Sequence, residues 1–342
     1  MKTLRSLLHR LTEIKQLQRV KTVFETLDGI IFGVFKTTPG APHFVDNIEI
    51  KRYMSFAIIA LLPTTIAAIY FYGWQVVKII LTSYIAGGMV EVLFAVIRKR
   101  EIEEGFLVTG LIFPLVLPPT VPLWVVIIGV VFGVFFGKEV FGGTGRNIFN
   151  PALVGRLFIT IAFPEIMSAS WKKPFADAVT SATPLSVFKT AAELTPFLDL
   201  LFGRAAGSMG EIFRLGVIAG GIFLMLSKVS NWRIPLSYLL SATVFSFFGN
   251  LLIPAKIAPP LFQLLSGGLL FGSMFMATDP VTSPFTKGGK YIFGIMCGLL
   301  TILIRSFSGY SEGVMFSIIF MNAFTPLIDH LVLSYKYKAV EK

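Results

Sequence analysis

Apolar residues along this chain are gathered into long runs, and most polar and charged residues lie in the segments between them. An α-helix needs roughly 17–25 apolar residues to cross the hydrocarbon core of a bilayer. The pattern therefore predicts an all-α integral membrane protein with about ten transmembrane helices. The predicted spans cover residues 54–72, 76–97, 106–118, 121–137, 149–164, 213–227, 235–253, 260–277, 291–307 and 313–333.

Two polar segments rich in glycine and proline lie beside apolar spans. "FGGTGRNIFNP" precedes the fifth span, and "FMATDPVTSPFTKGG" precedes the ninth. Paired interruptions of this kind are typical of inverted-repeat membrane proteins, whose binding sites lie at broken helices. We expect two inverted five-helix repeats with broken helices, the alternative being two ordinary polar loops. The predicted organisation is an amphipathic N-terminal segment (1–52), a first membrane repeat (53–164), an external loop (165–212), a second membrane repeat (213–333) and a tail (334–342).

Lysine and arginine fall mainly into alternate loops, which predicts the orientation of the chain in the membrane. Nine of them precede the first span. By the positive-inside rule, both termini are cytoplasmic and the loop 165–212 is external. The bases of the other cytoplasmic segments are Arg98, Lys99, Arg100, Lys138, Arg146, Lys228, Arg233, Lys287, Lys290, Lys336, Lys338 and Lys342.

Composition supports the membrane assignment and excludes several other classes of protein. The chain is 54% hydrophobic and only 14% charged, whereas soluble domains carry about 25% charged residues. The net charge of +11 comes from bases clustered between apolar runs, so we expect membrane lipid and not nucleic acid as a partner. The single cysteine, Cys297, and three scattered histidines predict no disulfide, iron–sulfur cluster or metal site.

Three motifs carry a resemblance to a known family. They are "FGGTGRNIFNPALVGRLF" (141–158), "DAVTSATPLS" (177–186) and "FMATDPVTSP" (275–284). Together they resemble the B subunit of the sodium-translocating NADH:quinone reductase, a membrane flavoprotein, and its relative, the D subunit of the Rnf complex. The likeness covers nearly the whole chain in order and in spacing, and the "GGTGRN" form looks more like the quinone-reductase protein.

The resemblance implies a covalent flavin in the loop 165–212. In this family Asp-x-x-Ser/Thr-x-Ala-Thr is the acceptor motif of a flavin transferase that works outside the cytoplasmic membrane. Asp177, Thr180, Ser181 and Ala182 match the motif, and Thr183 would carry FMN as a phosphoester. Serine stands at position 181, where the family commonly has glycine. An accessible hydroxyl among small residues suits this chemistry.

The first motif has the features of a second flavin site. Gly142 and Gly143 would let backbone amides approach a ligand closely. The side-chain amides of Asn147 and Asn150 can hydrogen-bond the edge of a flavin ring. The glycine spacing matches neither a Walker nor a Rossmann motif. The resemblance implies non-covalent riboflavin or the FMN ring at this site.

Charged residues inside apolar runs are rare and functional by default. Glu91, Asp279 and Asp329 are such residues, and the resemblance associates their positions with sodium uptake. A hard cation prefers oxygen ligands, which carboxylates supply. The alternative is that these acids bind nearby helix ends. Arg156 also lies within a span and needs a partner or polar surroundings there.

The resemblance also associates the pair Gly87 and Gly88 with a quinone pocket. It implies a redox subunit that passes electrons from covalent FMN through a second flavin to quinone, coupled to sodium export. We predict no catalytic side chain and no activity of this chain alone. The implied partners are NADH/FAD and iron–sulfur subunits, a second covalent-FMN subunit and the flavin transferase, all at a bacterial inner membrane. The alternatives are the Rnf protein and a non-redox channel or transporter.

Overall fold

The computed structural model describes residues 50–99, 105–175 and 181–338. The predicted N-terminal segment lies almost entirely outside these ranges. Asp177 and Thr180 of the acceptor motif and the last four residues of the tail also lie outside the described residues. Within these ranges, all regular secondary structure is helical, as the sequence predicts.

The helices follow the predicted apolar runs, with three short helices inserted in the long loop. A 3₁₀ turn, Glu139–Phe141, follows α4, and a π-helical stretch, Gly272–Met276, follows α12. The α-helices are α1 Ile50–Tyr72, α2 Trp74–Arg98, α3 Gly105–Leu115, α4 Leu123–Gly137, α5 Pro151–Ala162, α6 Pro164–Ala169, α7 Pro184–Ala191, α8 Phe197–Leu201, α9 Arg214–Leu226, α10 Arg233–Leu252, α11 Pro260–Leu265, α12 Leu269–Phe271, α13 Lys287–Phe307 and α14 Val314–Lys338.

Six helical segments of the described chain are long and apolar enough to cross a membrane. Three of the other predicted spans, α3, α5 and α9, are shorter apolar helices, and the eighth span is divided between α11, α12 and the π-helix. Large apolar side chains such as Ile66, Tyr70 and Leu252 are 64–79% exposed. Apolar surface on this scale requires a lipid environment. The six spanning segments are Tyr53–Tyr72, Trp74–Arg98, Leu123–Phe141, Arg233–Leu252, Lys287–Phe307 and Val314–Lys338.

The two halves of the chain share a packing order. In the first half α2 contacts α3 and α4, and α4 contacts α5; in the second half α10 contacts α11 and α13, and α13 contacts α14. The first helices of the halves, α1 and α9, pack against each other. The Tyr53 hydroxyl near the start of α1 donates to the carbonyl of Val229, just beyond the end of α9. The Tyr72 hydroxyl at the end of α1 donates to the carbonyl of Gly207, before α9 begins. The two helices are therefore antiparallel, which supports an inverted relation between the halves.

The predicted external loop 165–212 is not wholly on the surface. Residues 205–212 are buried, and they reach the end of α3. The amide of Gly210 donates to the carbonyl of Leu115 at 2.6 Å, and that of Met209 donates to Leu117 at 3.2 Å. Small residues in "AAGSMG" allow this close approach, and the pairing satisfies carbonyls that follow Pro114, where α3 ends.

Helices α4 and α5 touch backbone to backbone through glycine. A Cβ atom added to Gly133 would lie only 2.9 Å from the Cα of Gly155. Small residues at such crossings allow the close packing that stabilises helix pairs in a membrane. This contact fixes the position of α5, which carries Asn150 at its start.

We expect Gly133→Ala to lower the thermal unfolding midpoint of the detergent-purified protein. The added methyl group would collide with backbone atoms that cannot rotate away, and overpacking of this kind costs about 1–3 kcal/mol. Gly309→Ala is the matched control, because a Cβ there would meet nothing within 4 Å. Equal midpoints for the two variants would contradict the close α4–α5 contact.

Candidate functional site

A cleft opens between the two halves at the start of α5, and we call it the Asn150 cleft. It encloses about 750 Å³ of empty space, its open mouth included. Helix α1, the start of α3, the end of α9 and the end of the π-helix form its walls. Its apolar lining includes Met54, Val108, Ile112 and Phe275. Its polar lining includes Tyr53, Lys138, Asn147, Asn150, Thr278 and Asp279.

Asn150 joins the two halves at this cleft. Its Oδ1 accepts from the amides of Ala152 at 3.0 Å and Leu153 at 3.4 Å, so it caps the N-terminus of α5. Pro151 at the first helical position needs no hydrogen-bond partner and favours this start. The Nδ2 of Asn150 faces Oδ2 of Asp279 at 3.4 Å. The structure therefore brings together two residues that the sequence places in separate motifs.

The glycines of the first motif form the turn behind the cleft and do not line it. Gly142 and Gly143 have φ angles of 113° and 101°, which residues with a side chain rarely adopt. The turn places Asn147 in the wall of the cleft, where it is 7% exposed and donates to the carbonyl of Phe149 at 3.1 Å. Of the residues predicted for the second flavin site, the asparagine side chains thus line the cleft, and the glycines form the turn behind it.

The three predicted ion-pathway acids lie in three different environments. Glu91 is buried and pairs with the ammonium of Lys138 at 2.5 Å. Lys138 is only 2% exposed, although its place in the sequence predicts a solvated basic loop. A buried carboxylate needs such a partner, because desolvating an unpaired charge costs several kcal/mol.

Asp329 and Asp279 differ in the groups that their oxygens meet. Asp329 on α14 accepts from the amides of Phe285 and Thr286 at 2.9 and 3.1 Å, and also from the Thr286 hydroxyl. It thereby binds the chain at the start of α13, which favours the helix-end role that the sequence left open. Asp279 accepts from the amide of Val281 at 3.1 Å and from Nδ2 of Asn150 at 3.4 Å, and forms no ion pair with the described residues. Of the three acids, Asp279 is the one that lines the Asn150 cleft.

Gly87 and Gly88 lie on α2 and do not line the Asn150 cleft. The ring of Phe106 occupies the space where side chains at both positions would begin, and Val130 of α4 adds to it at Gly87. The pair therefore serves helix packing in this structure. The described residues leave their predicted part in a quinone pocket untested.

Thr183 lies at the opposite end of α5, beside a surface depression of about 630 Å³, its open mouth included. It caps the N-terminus of α7, its Oγ1 accepting from the amide of Ser186 at 3.3 Å. The amide of Ser181 donates to the carbonyl of Trp171 at 3.0 Å. Trp171 and several hydroxyls line the depression: those of Ser168, Ser181, Thr183, Ser186 and Ser311.

Lys189 fastens α7 to the second half. Its ammonium donates to the carbonyls of Arg305 at 3.3 Å and Tyr310 at 2.8 Å, and also to that of Ser308. Desolvation lowers the pKa of Lys189. The link attaches the last turn of α7 to the end of α13 and the residues after it.

Sequence reasoning missed a group of buried charges at the break between α11 and α12. Arg214 and Arg305 donate to the carbonyls of Leu265 and Ser266 at 2.5 and 3.0 Å, and Glu312 accepts from the amide of Gly268 at 2.8 Å. Positive groups thus meet the C-terminus of α11 and a negative group meets the N-terminus of α12, as helix dipoles favour. The available signal was the position of Arg305 inside an apolar run.

The fold and the clefts define the class of protein. This chain is a multi-pass helical membrane protein with a broken helix, a cleft where its two halves meet, and first helices of the halves that run antiparallel. A profile of the NQR2, RnfD, RnfE family matches residues 37–338. The chain belongs to this family.

Three similar proteins share one name. The chain is 33% identical to a protein of Klebsiella pneumoniae over an alignment of 388 positions, which covers 94% of each chain. It is 32% identical to a protein of Yersinia pestis, and that alignment also covers 94% of each chain. It is 38% identical to a protein of Pseudomonas paraeruginosa over 75% of this chain and 67% of that protein. Each is named as the B subunit of a Na(+)-translocating NADH-quinone reductase.

We expect Lys138→Met to destabilise the protein by about 3–5 kcal/mol, because it removes the cation that pairs with the buried Glu91 carboxylate. The double variant Lys138→Met/Glu91→Gln should recover most of the loss, since it removes both charges. Thermal unfolding in detergent measures both effects.

The control for this pair is Arg204→Met. Arg204 pairs with Asp199 at 3.9 Å while its own side chain is 74% exposed, and exposed pairs contribute only about 0–1 kcal/mol. A Lys138→Met variant as stable as the control would show that the buried pair is unimportant.

Proposed function

We propose that this chain is the B subunit of a Na⁺-translocating NADH:quinone reductase and carries FMN covalently on Thr183. It is inactive alone and receives electrons from partner subunits. The observation that carries the proposal is the placement of Thr183: its hydroxyl stands at a helix N-terminus and opens onto a depression with an aromatic wall. The names of the relatives support the quinone reductase assignment.

The surroundings of Thr183 suit a phosphoester. The threonine oxygen would attack the FMN phosphorus of a flavin dinucleotide held by the transferase. The phosphoanhydride bond would break, so that a nucleoside monophosphate leaves and the hydroxyl proton is released. The resulting phosphodiester carries one negative charge at the N-terminus of α7, where unpaired backbone amides and the helix dipole favour an anion. Ala182 beside it is exposed and small, which leaves access for a flavin transferase. The indole of Trp171 offers a surface on which a flavin ring could stack.

The Asn150 cleft is the proposed site of the second, non-covalent flavin, which we take to be riboflavin. Apolar side chains such as Ile112 and Phe275 suit the faces of the ring, and Asn147 offers amide groups to its polar edge. When bound, the flavin would supply one-electron chemistry, and the chain's residues would hold and orient it. Quinone reduction near Gly87 and Gly88 is part of the same proposal.

Sodium coupling is proposed at Asp279. The carboxylate lies where the π-helix has ended, and Pro280 cannot donate a backbone hydrogen bond. Buried hydroxyls of Thr278 and Thr282 stand near it in the chain. Oxygen-rich helix breaks of this kind coordinate small cations in transporters. Glu91 and Asp329, whose oxygens are used by the protein itself, would act on the ion pathway only indirectly.

The proposed orientation places the Asn150 cleft at the cytoplasmic side of a bacterial inner membrane and Thr183 outside, with both termini cytoplasmic. Lys138, Arg146 and Lys228 stand at the cleft end of their helices, as the positive-inside rule requires. A flavin transferase that acts outside would then reach Thr183. The D subunit of the Rnf complex belongs to the same family, but the similar proteins carry the quinone reductase name and favour the first assignment.

Electrons would reach this chain through partner subunits that bind NADH and FAD or hold iron–sulfur clusters, and a second covalent-FMN subunit would share the pathway. The chain itself offers no cysteine set for a cluster, because Cys297 is its single cysteine. Membrane lipid would cover its exposed apolar side chains.

Thr183→Ala should abolish the flavin fluorescence of this chain on a denaturing gel, because no hydroxyl remains to form the ester. The protein should still be found in the membrane, since loss of one helix cap costs only about 0.5–2 kcal/mol. The matched control is Thr190→Ala, an exposed threonine on the same helix. Fluorescence from Thr183→Ala after co-expression with the transferase would refute the assignment.

Asp279→Asn should weaken sodium dependence while flavin content stays normal. The change keeps the shape of the side chain and removes the charge, and a charged hydrogen-bonding partner contributes about 1.5–3 kcal/mol. The sodium concentration for half-maximal turnover of the complex should therefore rise about tenfold or more. Asp329→Asn serves as the control and should affect stability more than sodium dependence. An unchanged sodium response in Asp279→Asn would assign that residue a structural role.

A further inference from the structure

Five charged side chains surround the break between α11 and α12; four are buried, and Glu312 is partly buried. Arg214 and Arg305 bind the carbonyls before the break, and Arg305 also pairs with Glu312 at 2.9 Å. We call this group the break cluster; its members are Arg156, Glu211, Arg214, Arg305 and Glu312. With both glutamates ionised, three arginines leave the cluster with one positive charge.

Arg156 is the member without a direct partner. Its side chain is 6% exposed, and its Nε has no hydrogen-bond partner. No ion pair between described residues includes Arg156. Its Nη1 lies 4.0 Å from the point where a Cβ of Gly268 would stand, and that point is 3.7 Å from Glu211 Oε2 and 4.0 Å from Glu312 Oε2. Arg156 therefore faces both carboxylates without contacting either.

A buried guanidinium without a partner is costly. The cost would fall whenever negative charge appears close by, because Coulomb interactions are strong and poorly screened in a low-dielectric interior. The observed hydrogen bonds and ion pairs already occupy Arg214 and Arg305. Arg156 is thus the arginine of the cluster whose guanidinium no hydrogen bond or ion pair between described residues engages.

The break cluster lies between the two ligand regions. Arg156 follows Asn150 by six residues on α5, which is about 9 Å along the helix axis. On its other side, Leu185, two residues after Thr183, fills the space beside Gly267 together with Glu312 and Arg305. The same helix thus carries Asn150 at one end and the unpaired arginine in its middle, with the start of α7 beyond.

We propose that Arg156 is the buried counter-charge that stabilises an added electron on a flavin of this chain. The inference rests on the proposed function, because it requires flavin at the Asn150 cleft or at Thr183. The electron comes from NADH through the partner subunits, and a flavin that gains it without a proton gains one negative charge. Arg156 neither donates a proton nor contacts the reacting atoms; it is a positioning residue that acts through its field.

The test measures the midpoint potentials of the flavins by spectroelectrochemical titration of the assembled, purified complex. Arg156→Gln keeps hydrogen-bonding capacity and removes the charge, so it should lower the potential of at least one flavin couple. Arg156→Lys keeps the charge and should restore it. Glu312→Gln removes a negative charge from the same cluster and should shift a potential upward. Arg204→Gln, an exposed arginine on the loop that precedes α9, should change nothing.

Opposite shifts in Arg156→Gln and Glu312→Gln would confirm an electrostatic role, because structural damage does not reverse its sign with charge. Unchanged potentials in Arg156→Gln with normal flavin content would overturn the inference, as would shifts of the same sign in both variants. If Arg156→Gln fails to assemble, the absence of an upward shift in Glu312→Gln overturns it. Absence of flavin from the unmodified complex would instead refute the proposed function.

Discussion

Hydrogen bonds between buried charges and a broken helix are the interaction on which the rest of the structure depends. Inside a bilayer every backbone carbonyl and amide needs a partner within the protein, and each unsatisfied group costs several kcal/mol. At the break after α11 the guanidinium groups of Arg214 and Arg305 take the free carbonyls, and the carboxylate of Glu312 takes the first free amide. The chain can therefore stop one helix and start another in the middle of the fold.

The break determines where Asp279 lies. Because the eighth run is divided, its second part continues as a π-helix that ends beside the start of α5. A continuous helix would place the "ATDP" segment at a different depth along the helix axis and at a different angle around it. The hydrogen-bond contact between Asn150 and Asp279, and with it the wall of the cleft, thus follows from charges located some distance away in the chain.

Charged groups inside this protein fall into two kinds. Glu91 and Arg305 form ion pairs within the chain, and Asp329 accepts backbone hydrogen bonds. We attribute mainly structural roles to these three residues. Asp279 and Arg156 have no ion-pair partner among the described residues. An ionic side chain without an ion-pair partner in a low-dielectric interior is costly to the folded state. This cost is the basis of our proposals that a cation meets Asp279 and that added negative charge meets the field of Arg156.

The sequence by itself determined the all-helical membrane class, the positions of the apolar runs and the motifs around Asn150 and Thr183. These follow from local properties: run length against bilayer thickness, glycine and proline as helix breakers, and hydroxyls and amides as chemical groups. Only the tertiary structure decided that Lys138 is buried against Glu91 and that residues 205–212 pack inside. It also decided that Arg156 lacks a partner. Pairing depends on which side chains meet across the two halves, and neither hydropathy nor spacing along the chain specifies those contacts.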